Sequence, residues 1–139
     1  MPSFQEFYFT SSTGTNQIRV KKCLPDSAPA AIVQIAHGIA EHVDRYGEFM
    51  EFLAAHGFLV VANDHLGHGK SIKVPEDLGF FAASDGWDYV VRDMEKLHDL
   101  TVKEYPGLPY VMFGHSMGSF LTRTYIISCL LYTSDAADE

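Results

Sequence analysis

The sequence predicts an α/β fold, a mostly parallel sheet with an antiparallel opening hairpin. Three observations carry this. The runs Ala31–Ala36, Phe58–Asn63 and Tyr110–Phe113 are nearly all apolar, as suits strands buried on both faces. Segments with helical periodicity follow each of them. Each run ends in a Gly- and His-rich stretch, at the sheet edge where open α/β sheets bind ligands.

The elements follow in order. Glu6–Thr10 is aromatic and strand-like, Ser11–Gly14 is a turn cluster, and Gln17–Lys21 alternates polar and apolar residues. Together they predict a hairpin with one wet face. Pro25–Pro29 is a loop. After the Ala31–Ala36 strand comes a helix over Arg45–His56, with Tyr46, Phe49, Met50 and Leu53 on one face and Gly57 as its stop. The strand Phe58–Asn63 leads into the turn Asp64–Ser71, and the chain is mostly loop to Ser84. A helix over Gly86–Glu104 places Trp87, Val90, Val91, Met94, Leu97 and Thr101 on its core face, with Asp85 as N-cap. Pro106–Pro109 ends it, Tyr110–Phe113 forms the third buried strand, and Ser119–Ser128 begins a third helix.

Composition bounds the function. The 139 residues suffice for one domain with a modest core. A net charge of −8 leaves no footprint for nucleic acid and little attraction to anionic lipid. No apolar stretch reaches the length of a membrane span. Two isolated cysteines argue against a disulfide framework and point to a reducing cytoplasm.

The motif Gly114-His115-Ser116-Met117-Gly118 has the form G-x-S-x-G. A serine hydroxyl is a poor nucleophile until a base takes its proton. A sharp strand-to-helix turn lifts its Oγ clear of the backbone and aims a helix N-terminus at the developing negative charge. Gly114 and Gly118 keep the crowded turn free of Cβ clashes. The N–H of Met117 then serves as one oxyanion donor, and the loop His37-Gly38-Ile39-Ala40 offers the N–H of Ile39 as the second. His37, His42, His65 and His68 gather near the same edge, but no familiar ligand spacing is completed. No metal or cofactor is assigned. Structural hydrogen bonding is the expected role of His37, and loop-bracing that of His65, His68 and Asp64.

Taken together, His37–Tyr46, Asn63–Ser71, Tyr105–Pro109 and Gly114–Gly118 resemble the monoacylglycerol lipase and lysophospholipase family of serine hydrolases, also grouped with serine aminopeptidases. The resemblance covers Phe4 to Ser128 and implies the N-terminal half of an α/β-hydrolase fold. It implies Ser116 as nucleophile, an acyl-enzyme, and a small lipid ester as substrate. It also implies a lid that touches membranes peripherally. The pattern departs at Ala40, where glycine is usual; since alanine is also small, little harm is expected. The family's triad runs Ser, Asp, His, so the acid, the histidine and the lid are expected beyond the Ser116 helix.

Residues 129–139 resemble the translation of a transposase adapter used in sequencing libraries. The expected division is therefore a partial hydrolase domain over 1–128 and a non-native tail over 129–139. A chain ending there is expected to leave Tyr110–Phe113 as an edge strand and to be unstable and inactive. Alternatives remain on the same scaffold: a general carboxylesterase, an acyltransferase or an aminopeptidase. A non-catalytic binding protein is the alternative of another class. The sequence leaves oligomeric state undetermined.

Overall fold

The computed structural model describes residues 1–129. The expected tail therefore lies almost wholly outside the described residues. Five strands form one sheet: β1 Ser3–Thr10, β2 Gln17–Leu24, β3 Ala31–Ala36, β4 Phe58–Asn63 and β5 Tyr110–Gly114. Three helices accompany them: α1 Gly47–Ala55, α2 Gly86–Glu104 and α3 Met117–Cys129. The strand order is β1-β2-β4-β3-β5. The β1–β2 hairpin is antiparallel and joins β4 antiparallel, whereas β3 pairs parallel with both β4 and β5. Among the described residues β5 pairs with β3 alone, and Val111 is half exposed.

The order places the site. From β3 the chain crosses to β4 on one side, then returns past β3 to β5 on the other. Crossovers of one hand put α1 and α2 on opposite faces. Side chains confirm it by strict alternation. Val33 and Ile35 of β3 pack with Met50 and Ala54 of α1, while Ile32 faces Leu97 and Ala36 faces Val90 and Met94 of α2. Each fully buried Val, Leu or Met here contributes about 1.5–3 kcal/mol. β3 thus stands at the reversal in strand order, and ligands of such sheets lie beyond the carboxyl ends of the strands there.

Several elements differ from the sequence reading, each for a tertiary reason. The helix expected over Arg45–His56 begins as a 3-10 turn, Val43–Tyr46, before α1. The third helix begins at Met117 rather than Ser119, directly from the serine turn. Asp85 precedes α2 with φ +56° and makes no side-chain capping bond. Trp87 is not core: it is 37% exposed and donates from Nε1 to Thr124 Oγ1 of α3 at 3.1 Å. Asp93 is buried instead, accepting from the Ser11 hydroxyl and the Ser12 N–H at 2.7 Å each, which ties the hairpin turn to α2.

The hairpin's wet face belongs to β1 alone. On β2, Arg19 and Lys22 are both buried. Arg19 donates to Glu6 at 2.5 Å, Asp44 at 3.0 Å and Asp64 at 3.4 Å. Lys22 lies over the rings of Phe7 and Tyr105 and pairs with Glu104 at 2.9 Å. Long cationic side chains bury their stems when carboxylates meet their heads. Alternation alone cannot show that, because the carboxylates come from distant segments.

Candidate active site

The turn after β5 holds Ser116 at φ +56°, a left-handed backbone for a non-glycine residue. Such conformations cost on the order of 1–2 kcal/mol and persist where surrounding packing imposes them. That packing is visible at the flanking glycines. A Cβ on Gly118 would lie 1.9 Å from the carbonyl oxygen of Ala36, and one on Gly114 would lie 2.5 Å from that of Gly118. The start of α3 therefore presses directly onto the end of β3, and both glycines are required by close backbone approach. The His115 N–H donates to the Ala36 carbonyl at 3.2 Å, joining the turn to the same strand end. Ser116 itself is exposed at the sheet edge.

The loop after β3 runs beside this serine. A Cβ on Gly38 would sit 3.2 Å from Ser116 Cβ and 3.2 Å from the His115 carbonyl oxygen. The loop is held by its own side chains. The His37 imidazole Nδ1 lies 2.7 Å from the Gly38 carbonyl, and its Nε2 accepts the His65 N–H at 3.1 Å. An acceptor at Nε2 fixes the proton on Nδ1, so His37 is neutral and donates to Gly38. Burial drives its pKa down to about 4, despite the opposing bond to Gly38. Glu41 Oε1 accepts the Gly38 N–H at 2.8 Å and the Tyr46 hydroxyl at 2.7 Å. Burial pushes the Glu41 carboxyl up, but those bonds, with His115 and His37, outweigh it and hold its pKa below the ordinary value. Among the described residues, neither the Ile39 N–H nor the Met117 N–H has a hydrogen-bond acceptor.

Ala40 lies at φ +59°. The departure from glycine there is therefore a matter of backbone conformation, not of size. Alanine fits but carries left-handed strain that glycine would not.

The turn after β4 forms the third wall. Asp64 is fully buried: Oδ1 accepts the Val43 N–H at 2.8 Å, and Oδ2 accepts the Lys70 N–H at 2.9 Å beside Arg19. A Cβ on Gly69 would meet this carboxylate at 2.4 Å. Asp64 thus braces its own turn and the start of the α1 segment. His65 and His68 are buried against His37, with ring centroids 4.1 and 5.2 Å away. Their bonded nitrogens face carbonyls, His65 Nε2 to His37 and His68 Nδ1 to Leu66. Among the described residues no group of three His, Cys, Asp or Glu is arranged to hold a metal ion. His42 is half-buried and stands 4.0 Å from Asp44.

Two cavities adjoin the loop. One of about 420 Å³ is lined by Glu41, Arg45, Tyr46, Phe49, Phe113 and His115. Another of about 300 Å³ lies beneath Ile39, Leu78 and His68. No described helix is long and apolar enough to cross a membrane.

The sequence pattern points to Ser116, Met117, Ile39, Gly114 and Gly118, and the fold brings all five to one sheet edge. It gives no site role to Glu41 or Arg19, and places Tyr46 only on the face of a helix. For Glu41 a signal exists: a carboxylate three residues after Gly38 is the spacing at which Glu returns to a free N–H at a chain turn. For Arg19 there is none, since its partners lie 13, 25 and 45 residues away.

Comparison with known proteins agrees with this fold. A family model described as "Serine aminopeptidase, S33" matches residues 27–135. A monoglyceride lipase homolog of monkeypox virus is 39% identical over 99 residues, covering 70% of this chain and 33% of that protein. Human monoglyceride lipase is 38% identical over 94 residues, covering 68% of this chain and 29% of that protein. A thermostable carboxyl esterase from Bacillus coagulans, solved with glycerol, superposes with a TM-score of 0.85 at 35% identity, covering 91% of this chain and 41% of that one. The chain spans about a third of the length of the curated relatives it matches.

Proposed function

The chain belongs to the serine aminopeptidase S33 family, on the α/β-hydrolase fold, and from that membership we propose that the intact protein is a serine hydrolase of lipid carboxylic esters. Monoacylglycerols or lysophospholipids are the substrate class, and Ser116 is the nucleophile. One observation supports this above the others. The serine sits in a left-handed turn with the Gly38 backbone packed against its Cβ, and the two nearby N–H groups of Ile39 and Met117 have no acceptor among the described residues.

The reaction follows from those parts. The Ser116 hydroxyl oxygen attacks the ester carbonyl carbon while a histidine takes its proton. The carbonyl oxygen becomes an oxyanion and is met by the N–H groups of Ile39 and Met117. Such a donor contributes roughly 3–4 kcal/mol to the transition state. The alcohol leaves with the proton, and water then releases the acid from the acyl-serine. Three of the described histidines, His37, His65 and His68, are buried and committed to backbone partners, so none of these three suits the base. We place the acid and the base in the part of the intact protein that follows α3, where the family order puts them.

A fluorophosphonate probe on the intact protein tests the assignment. Wild type is expected to label stoichiometrically and Ser116→Ala not at all. Labelling that persists in Ser116→Ala, or none in the wild type, would favour a non-catalytic binding protein. Hydrolysis of monoacylglycerol and lysophospholipid, measured against a short-chain ester and an aminoacyl amide, separates the lipase from the esterase and aminopeptidase readings.

A further inference from the structure

Two consecutive peptide groups approach Ser116, and their hydrogen bonds can be followed one by one. The first joins His37 to Gly38. Its carbonyl accepts from His65 Nε2 at 3.1 Å, and its N–H donates to Glu41 Oε1 at 2.8 Å. The second joins Gly38 to Ile39. Its carbonyl accepts from His37 Nδ1 at 2.7 Å, and its N–H has no acceptor among the described residues. The C=O and N–H of a trans peptide point in opposite directions. Three of these four groups are therefore pinned, and the trans geometry aims the fourth opposite to the Gly38 carbonyl. Two of the three pins come from histidines beneath the loop. Glu41 is the remaining one, and it acts from the loop's outer side.

Glu41 is itself oriented. The Tyr46 hydroxyl, at the junction of the 3-10 turn with α1, donates to the same Oε1 at 2.7 Å. Oε2 is left towards His115 Nδ1, 3.7 Å away on the serine turn. One carboxylate thus bonds the start of α1 to the loop after β3 and faces the turn after β5. The loop needs that link. It carries the left-handed Ala40 immediately before Glu41, and its Ile39 side chain is 66% exposed, so packing does little to fix it.

We infer that Glu41 is a positioning residue for the oxyanion loop, its carboxylate, oriented by Tyr46, holding the Gly38 peptide so that the free N–H of Ile39 meets the ester oxygen above Ser116. This rests on the proposed function, in which that N–H stabilises the oxyanion. Glu41 touches neither substrate nor the reacting atoms in this role. Its action is to keep the donor where charge develops, which preorganised donors require.

The test uses the intact protein, with kcat normalised to fluorophosphonate-labelled sites, for wild type, Glu41→Gln, Glu41→Ala and Tyr46→Phe. Glu41→Ala removes the acceptor and is expected to lower kcat about 100-fold, with KM changed less than about threefold, comparable to loss of one oxyanion donor. Fluorophosphonate labelling slows in parallel. Glu41→Gln keeps a carbonyl oxygen that accepts both donors and is expected to retain kcat within about fivefold, because hydrogen-bond acceptance rather than charge is the requirement. If Glu41→Ala does not fold, Tyr46→Phe reads the same link, with an expected fall in kcat of about 3–10-fold for one lost hydrogen bond. Site-normalised kcat within threefold of wild type in Glu41→Ala, or in Tyr46→Phe where that variant stands in, overturns the inference. So does a Glu41→Gln variant as impaired as Glu41→Ala. Failure of the underlying reading looks different: wild type itself then remains unlabelled at Ser116, and the inference falls with it.

Discussion

His37 and His65 hold one another by two reciprocal hydrogen bonds. The His65 N–H donates to His37 Nε2 at 3.1 Å, and His65 Nε2 donates to the His37 carbonyl at 3.1 Å. The loop after β3 and the turn after β4 are locked together, and the bond from the His65 N–H exists only while the His37 ring is neutral. Protonating His37 removes its acceptor. The remaining nitrogen of His65, Nδ1, is buried with no partner, so a proton added there would be unsolvated.

Stability should therefore fall on mild acidification. Burial lowers the His37 pKa from 6.5 to about 4, and lowers that of His65 well below 6.5. Between those limits the unfolded chain binds protons that the folded chain refuses, so unfolding gains free energy as pH drops. His37 alone accounts for on the order of 3 kcal/mol, lost progressively from about pH 6.5 to pH 4. Asp44 acts in a separate window: the bond from Arg19 pulls its pKa from 3.8 to about 2, and its contribution disappears only as pH falls through that range. Urea titrations of the intact protein at pH 7.5, 6, 5 and 4 check this. A midpoint flat from pH 7.5 to 5 would contradict it.

Gly118→Ala should be among the most damaging single changes. Its Cβ would lie 1.9 Å from the Ala36 carbonyl oxygen, backbone against backbone, with no flexible atom to give way. A loss above about 4 kcal/mol, or no folded product, is expected. Gly14→Ala is the control: nothing lies within 4 Å, and only its φ of +85° opposes the substitution, at about 1–2 kcal/mol. Thermal melts of the two variants should differ accordingly, and equal effects would show that conformation rather than packing governs both.

Ala40→Gly should stabilise the protein. Ala40 lies at φ +59°, where the left-handed cost of about 1–2 kcal/mol exceeds the extra unfolded-state entropy of glycine, leaving a gain near 0.5–1 kcal/mol. An unfolding free energy unchanged or lowered in Ala40→Gly would count against this backbone assignment.

Arg19→Ala should cost about 3–5 kcal/mol, because it leaves a buried charge without its partner. Asp64 is fully buried and Arg19 is 5% exposed. The pKa of Arg19 is raised overall: burial lowers it, and the bonds to Asp44 and Glu6 with the charge of Asp64 more than reverse that. Denaturation in 1 M salt separates the pairs. The buried Arg19–Asp64 contact should hold, whereas the exposed Lys21–Asp44 pair should not. A loss under 1 kcal/mol in Arg19→Ala would refute the ascribed role.

Much of this fold is legible in the amino-acid sequence. The strands β3, β4 and β5 declare themselves as apolar runs of four to six residues, α2 by its 3.6-residue period, and Ser116 by two glycines at fixed offsets. These signals are local: a buried strand needs apolar neighbours in sequence, and a sharp turn needs small residues beside it. Ser116, its flanking glycines and its place at a strand end are readable for that reason.

The remainder depends on which segments meet. Only the β4-β3-β5 order brings Gly38 against Ser116 and His37 against His65, 28 residues apart. Burial of Arg19 needs three carboxylates from three segments, and exposure of Trp87 depends on where α3 lies. A buried polar group is stable only where its partners converge, and convergence is a property of the folded chain. The sequence by itself therefore determined the turn at Ser116 and the strands that carry it. The tertiary structure alone decided what holds the loop after β3, because Glu41, Tyr46 and the paired histidines acquire their roles through hydrogen bonds that exist only once three strand ends share one edge.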